Sequence, residues 1–197
     1  MHILEDHSPY YIKFHDPNTS VIVDLCKKSI SSTNRLLRQL PNYRHEVLPE
    51  NIGKNILELV PKSAELQLRS NRVSLFISEP GFYYGAHKDG LSMRFGVNYP
   101  VEILDDDCVT SWYSDSIADN CSIDNLNGRS REVVGFEKNK HTPIYAATMK
   151  MGSPVLFNTD IYHGWDNSKS NNRRIVLTLR SSSTEMTFEM AKEILFG

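Results

Sequence analysis

The 197-residue sequence predicts a mainly β fold with flanking helices. Three observations carry that expectation. Helical spacing prevails over about the first 70 residues, two-residue alternation takes over at Arg72, and the remainder holds short extended segments divided by Gly, Asn, Asp and Pro clusters. A β-sandwich or barrel, supported by helices at both ends of the chain, satisfies all three.

From Asn18 to Leu40 the apolar Val21, Val23, Leu25, Leu36, Leu37 and Leu40 are interspersed with Lys27, Lys28, Arg35 and Arg38. Asn18 to Ser20 offers N-cap oxygens and Pro41 supplies a stop, so the spacing predicts one helix over this span. A second is predicted from Pro49 to Val60, where Ile52, Ile56, Leu57 and Val60 recur at helical intervals, and a third, short one near Ala64 to Arg69.

After Arg72, Val73, Leu75 and Ile77 alternate with Ser74, Phe76 and Ser78 until Pro80-Gly81 closes the run as a turn. Further strands are expected at Met93–Val101, Val109–Tyr113, Glu132–Glu137, Ile144–Met149, Pro154–Phe157 and Ile175–Arg180. The acidic, Asn-rich stretch from Asp105 to Arg131 suggests no conformation. Met186, Met190, Ile194 and Leu195 place a terminal helix at Thr184–Leu195, packed on the β unit. The chain is thus expected to form a single domain over 1–197, with helical support at 1–70, a β core at 71–181 and a C-terminal helix at 182–197.

A net charge of -2 gives no overall cationic field to capture phosphate backbones, so nucleic acid is not favoured as a partner. Cys26, Cys108 and Cys121 form neither a CxxC pair nor an even set, which argues against a disulfide framework. The N-terminus lacks the basic-then-apolar order of a signal peptide, and no apolar run approaches the roughly 20 residues that span a bilayer. A cytoplasmic protein without membrane contact is expected.

Chemistry concentrates in three places. His87-x-Asp89 follows the Pro80-Gly81 turn, and in an extended segment its two side chains share one face. His163-Gly164 follows Gly152 and the apolar Val155-Leu156-Phe157. Two imidazoles and one carboxylate can cap one face of an octahedral divalent metal and leave three positions open, the ligand set of non-haem Fe(II) oxygenases. On the last predicted strand Arg174, Val176, Thr178 and Arg180 share one face and Arg173, Ile175, Leu177 and Leu179 the other. Guanidiniums on an inward face would clamp carboxylates through bidentate forks.

The ordered set of turn, His87-x-Asp89, His163 and an arginine about eleven positions later resembles the Fe(II)/2-oxoglutarate-dependent dioxygenases between Val73 and Arg180. The resemblance implies a double-stranded β-helix, or jelly roll, with His87, Asp89 and His163 as iron ligands. It implies Arg174 as the anchor of the distal carboxylate of 2-oxoglutarate, with Arg173 as the fallback. Arg180 completes a paired-arginine strand like that of the nucleic-acid demethylase branch, and Asn98 is a candidate hydrogen-bond donor to 2-oxoglutarate.

The implied reaction consumes dioxygen and 2-oxoglutarate, yields succinate and carbon dioxide, and hydroxylates or oxidatively demethylates a small molecule, a peptide side chain or a modified nucleobase. Tyr83, Tyr84, Trp112, Tyr113, Trp165, Arg94 and Asp105 to Asp107 are candidates for the substrate mouth. A zinc-dependent hydrolase and a non-catalytic jelly-roll module that binds metal or another ligand are the alternatives.

Overall fold

The computed structural model describes residues 1–30, 34–90, 93–126, 129–134, 138, 140–149 and 152–197. Its first third runs β1 (His2–His7), β2 (Tyr11–His15), α1 (Thr19–Ser29), β3 (Arg35–Leu40), β4 (Tyr43–Val47) and α2 (Glu50–Leu59). A 3₁₀ turn at Ser70–Arg72 leads to β5 (Ser74–Ser78), β6 (Tyr83–Lys88), β7 (Phe95–Glu102) and β8 (Val109–Trp112). Then come β9 (Ser122–Leu126), β10 (Arg129–Val133), β11 (Tyr145–Thr148), β12 (Val155–Asn158), β13 (His163–Asp166), β14 (Arg174–Leu179) and α3 (Phe188–Phe196). None of the described helices is long and apolar enough to cross a membrane.

The strands form two antiparallel sheets. Eight lie in the order β1-β2-β12-β7-β14-β5-β4-β3 and six in the order β11-β8-β13-β6-β10-β9. From β5 to β8, and again from β11 to β14, consecutive strands alternate between the sheets.

The central strands of the larger sheet are covered on both faces and divide their residues by alternation. Leu75 and Ile77 of β5, Phe95, Val97, Tyr99 and Val101 of β7, and Ile175, Leu177 and Leu179 of β14 join the main apolar core with Ile22 and Cys26 of α1, Ile56 of α2 and Ala191 and Leu195 of α3. The intervening residues, among them Phe76, Asn98, Arg174, Val176, Thr178 and Arg180, line a cavity of about 590 Å³ that the smaller sheet completes with His87, His163 and Trp165. Tyr99 OH closes the helix side by donating to Asp16 Oδ2 at 2.7 Å.

The expected strands from Met93 onward and the terminal helix appear with shifted ends, although residues 135–137 of the predicted 132–137 strand lie outside the described ones. The first third needs correction. The predicted helix from Asn18 to Leu40 ends at Ser29, shortly before a Ser-Ser-Thr-Asn run in the sequence whose residue types have low helix propensity. Asn34 Nδ2 donates to Ser29 O at 3.2 Å and to Glu46 Oε2 at 2.9 Å, and β3 begins at the next residue. Asn18 occupies the N-cap position of α1, but its side chain donates to Leu59 O at 2.7 Å instead of capping.

Pro41 is followed by Asn42 at φ 61°, which turns the chain directly into β4, so the span read as helix supplies a hairpin arm. The short helix expected at Ala64–Arg69 is a series of turns, since Lys62 and Gln67 take left-handed φ values of 54° and 53°.

Gly53, buried on α2, packs so closely on the 3₁₀ turn that an added Cβ would lie 2.5 Å from Ser70 O. Gly53→Ala should gain about 1 kcal/mol in helix propensity and lose about 1–3 kcal/mol to overpacking. A lower urea midpoint is the expected outcome, and an unchanged or higher one would contradict this packing.

Candidate metal centre

His87 lies near the end of β6 and His163 opens β13, directly opposite it on the neighbouring antiparallel strand. Their ring centroids are 4.4 Å apart. One ligand atom from each of His87, Asp89 and His163 can be chosen so that all lie within 4.8 Å of one another, a grouping that can hold a metal ion. His87 Nδ1 and Gly85 O are 3.0 Å apart, and His163 Nδ1 and Ile161 O 2.8 Å. With Nδ1 as the donor in both pairs, each ring is fixed in the tautomer whose Nε2 lone pair is available, the usual support for a metal-bound histidine.

A β-bulge brings these side chains to one side. The register pairs His163 with His87 but Trp165 with Tyr84, so β6 carries one more residue than β13 between the two pairs. Strict alternation would send Tyr84 and His87, three positions apart, to opposite faces, yet both line the cavity. Gly164 permits the bulge, because a Cβ there would sit 2.5 Å from Tyr84 O.

Asp89 is held from the other sheet. Arg180 Nη2 lies 2.6 Å from its Oδ2, while Oδ1 lies 3.4 Å from His87 Nε2. One carboxylate oxygen thus serves the guanidinium and the other faces the imidazoles. Burial pushes the Asp89 carboxyl up, but the Arg180 guanidinium and the hydrogen bond with His87 outweigh it and hold the group well below the usual carboxylate range. Arg180 Nη1 also donates to Phe95 O at 3.3 Å, and a Cβ on Gly96 would stand 2.9 Å from that nitrogen. Glycine at 96 makes the space in which the guanidinium lies.

Arg174 is buried on the same wall, with Cζ 5.3 Å from the centre of the Trp165 ring. Trp165 is fixed by its Nε1–H donating to Ser78 Oγ at 2.9 Å and by stacking on Tyr84 at 4.3 Å. Burial lowers the Arg174 pKa, and among the described residues no carboxylate pairs with it. Asn98 also lines the cavity, where its Oδ1 accepts from Thr178 Oγ1 at 2.6 Å, which leaves its amide hydrogens to donate.

The structure therefore brings together His87, Asp89, His163, Arg174, Arg180 and Asn98. It removes Arg173, which leaves the cavity to form a two-pronged pair with Glu102 at 2.7 and 3.0 Å. Of the expected mouth residues, Tyr84 and Trp165 line the cavity. Trp112 is buried between Tyr11 and Phe157, and Tyr113 packs with Ala86, Ile117 and Tyr162. Arg94 pairs with Asp160, and Asp105 accepts from Ser170 and Asn172. Sequence reasoning missed Arg35, Arg38, Tyr43 and Arg72 in the lining. The Pro41-Asn42 pair, a turn signal between two apolar arms, could have revealed the hairpin that carries three of them.

No protein-family model matches the sequence, and no curated protein matches it. Solved structures do. The chain is similar to the non-haem alpha-ketoglutarate-dependent carbocyclase SnoK from nogalamycin biosynthesis, with 12% identity and a TM-score of 0.53 over 87% of this chain and 80% of that one. It is also similar to the epimerase SnoN, solved with Fe3+, alpha-ketoglutarate and nogalamycin RO, with 10% identity and a TM-score of 0.50 over 89% and 82% of the two chains. At these identities the likeness is one of fold. Hazelnut (Corylus avellana) vicilin aligns at 11% identity and a TM-score of 0.43 over 76% of this chain, which spans 32% of the vicilin.

Burial first, and then the proximity of His87, push His163 from its ordinary 6.5 down to about 3 in the metal-free protein. Between those values the unfolded chain binds a proton that the folded chain refuses, so stability is greatest above pH 6.5 and falls with pH through the window, by up to about 1.4 kcal/mol per unit. His163→Gln should flatten that slope in urea titrations of metal-free protein from pH 7 to pH 4. An unaltered slope would contradict the buried, neutral state of this ring.

Proposed function

We propose that this protein is an Fe(II)- and 2-oxoglutarate-dependent oxygenase, with its two sheets as the halves of a double-stranded β-helix. One observation carries the reading: three metal-ligand atoms converge on the wall of a cavity that also holds Arg174, a buried guanidinium to which no described carboxylate is paired. The donor set fits the metal, since two neutral nitrogens and one anionic oxygen on one side leave the other side open. The sequence resemblance and the shared fold of SnoK and SnoN support it.

In this reading His87 and His163 hold the metal through Nε2 and Asp89 through Oδ1. Arg174 receives the far carboxylate of 2-oxoglutarate in a bidentate fork, and the Asn98 amide donates a hydrogen bond to it. Arg180 keeps Asp89 ionised and single-pronged. Iron and 2-oxoglutarate supply dioxygen activation coupled to decarboxylation, with transfer of oxygen to a substrate C–H bond. Phe157, Tyr84 and Trp165 exclude water beside the histidines. A zinc hydrolase would want a second carboxylate as general base, and among the described lining residues Asp89 is the only one.

Anaerobic addition of Fe(II) and then 2-oxoglutarate should produce the visible charge-transfer absorption of the chelate. His87→Ala and Asp89→Ala should abolish iron retention. Arg174→Ala should weaken 2-oxoglutarate binding by about tenfold or more, the worth of a charged hydrogen-bonded pair, whereas Arg173→Ala should leave it unchanged. Wild-type protein that binds iron but gives no such band would overturn the proposal. Succinate release across amino acids, peptides and alkylated nucleic acids would then rank substrate classes.

A further inference from the structure

From His163 a file of aromatic rings leads to the surface. Phe157 meets His163 edge-on at 5.0 Å and stacks on Trp112 at 5.2 Å, and Trp112 is also the backbone partner of His163 across β8 and β13. Trp112 lies 5.7 Å from both Tyr10 and Tyr145, which stack on each other at 4.8 Å with their planes 5° apart. Trp112 is fully buried, whereas the two tyrosines are half-buried. From a candidate metal ligand to a phenol within reach of solvent, no step between successive ring centres exceeds 5.7 Å.

The outer end carries a proton relay. Tyr145 lies on β11, the edge of the smaller sheet, and its OH is 3.0 Å from Nδ1 of His7 on β1, the edge of the larger one. His7 Nε2 is in turn 3.3 Å from Glu5 Oε2. With the phenol donating to Nδ1 and the Nε2–H donating to the carboxylate, a proton that leaves Tyr145 arrives on an imidazole whose charge Glu5 balances. The hydrogen bond from Lys13, at 2.9 Å, is foremost in holding the Glu5 carboxyl below its usual range, so that counter-charge is in place.

Trp112 is the opposite case, since its Nε1–H is buried and meets no acceptor among the described residues. An indole oxidised there has no base to take its proton, so the missing electron is drawn from the next ring. A phenol hydrogen-bonded to an imidazole can give up electron and proton together. Packing asks only for rings at these positions; it does not ask for a hydroxyl aimed at a base with a carboxylate behind it.

From this arrangement, and resting on the oxygenase reading, we infer that the protein carries an electron path from Tyr145 through Trp112 and Phe157 to the metal, which reduces the centre when dioxygen is activated with no substrate in place. Phe157 is too hard to oxidise to hold the charge and serves as a bridge. Trp112 gives one electron inward and is restored by Tyr145, whose proton moves to His7 Nδ1 and leaves a neutral phenoxyl radical. A thiol or ascorbate in solution returns a hydrogen atom to that radical, and His7 releases its proton to solvent. Two such cycles deliver two electrons, and with two protons from solvent they dispose of the activated oxygen atom as water.

A flash at the red edge of the tryptophan band, applied to metal-free protein, ejects an electron from indole without exciting tyrosine. The absorption of the indole radical should decay as that of a phenoxyl radical rises at the same rate. Tyr145→Phe should remove most of the phenoxyl, and Trp112→Phe should abolish the transfer although Trp165 still absorbs. His7→Gln should slow phenoxyl formation by about tenfold or more, because the amide keeps a hydrogen-bond acceptor but takes no proton. Tyr145 and His7 are not fully buried, so their replacements report independently of folding, and circular dichroism checks the Trp112 variant.

In protein loaded with Fe(II) and 2-oxoglutarate and exposed to dioxygen without substrate, freeze-quenched electron paramagnetic resonance should show the phenoxyl signal in wild type. Tyr145→Phe should lack it while its charge-transfer band is unchanged, and ascorbate should erase it in wild type. A phenoxyl yield unaltered by Tyr145→Phe, a rate indifferent to His7→Gln, or transfer in the flash experiment with no radical in the loaded protein would each overturn the path. A charge-transfer band with no phenoxyl after the flash sinks this inference alone, whereas phenoxyl after the flash with no such band sinks the oxygenase reading alone.

Discussion

The ion pair between Arg180 and Asp89 is the contact on which the site depends. It joins the end of β14 in one sheet to the segment leaving β6 in the other, across a buried interval of 2.6 Å. Neither charge would be stable there alone, because burying an ion without a partner costs several kcal/mol. Together they fix a carboxylate whose second oxygen is turned toward two imidazoles. Glycine at 96 belongs to the same device, since any side chain there would displace the guanidinium.

The larger sheet makes this possible by separating two tasks within the same strands. On β5, β7 and β14 the odd-numbered residues are apolar and packed beneath the helices, which anchors the backbone from behind. Ser74, Phe76, Asn98, Arg174, Val176 and Thr178, at even-numbered positions of the same strands, face the cavity and include its polar groups. A guanidinium at 174 or 180 is therefore placed by the packing of Ile175, Leu177 and Leu179, none of which touches the cavity. Polar chemistry can sit in the interior here because the neighbouring residue, one step along the chain, is wholly committed to the core.

This alternation is what made the candidate site legible in the sequence. Arginines at 174 and 180 interrupt an otherwise apolar strand at even spacing, which a plain core strand would not tolerate, and His87-x-Asp89 has the same two-residue step. The N-terminal third was less legible for a physical reason. Arg35-Leu36-Leu37-Arg38 satisfies helical spacing as well as it fits an edge strand with a bulge, and the register of β3 against β4 does shift between Leu36 and Arg38. Propensity cannot choose between them; pairing with β4 does. Arg173 was indistinguishable from Arg174 in composition, and only Glu102 on the adjacent strand assigns it to the outside.

The bulge opposite Gly164 carries a consequence for how such sites tolerate change. Tyr84 and His87 stand an odd number of positions apart and still both line the cavity, so the interval itself is a structural part. Replacing Ala86 with another small residue preserves the interval; deleting it should restore an ordinary ladder and rotate either Tyr84 or His87 out of the cavity. Lesions that alter length should therefore be far graver than lesions that alter chemistry over these four residues, and proteins that share the arrangement should conserve the count between the two side chains more strictly than the residues that fill it.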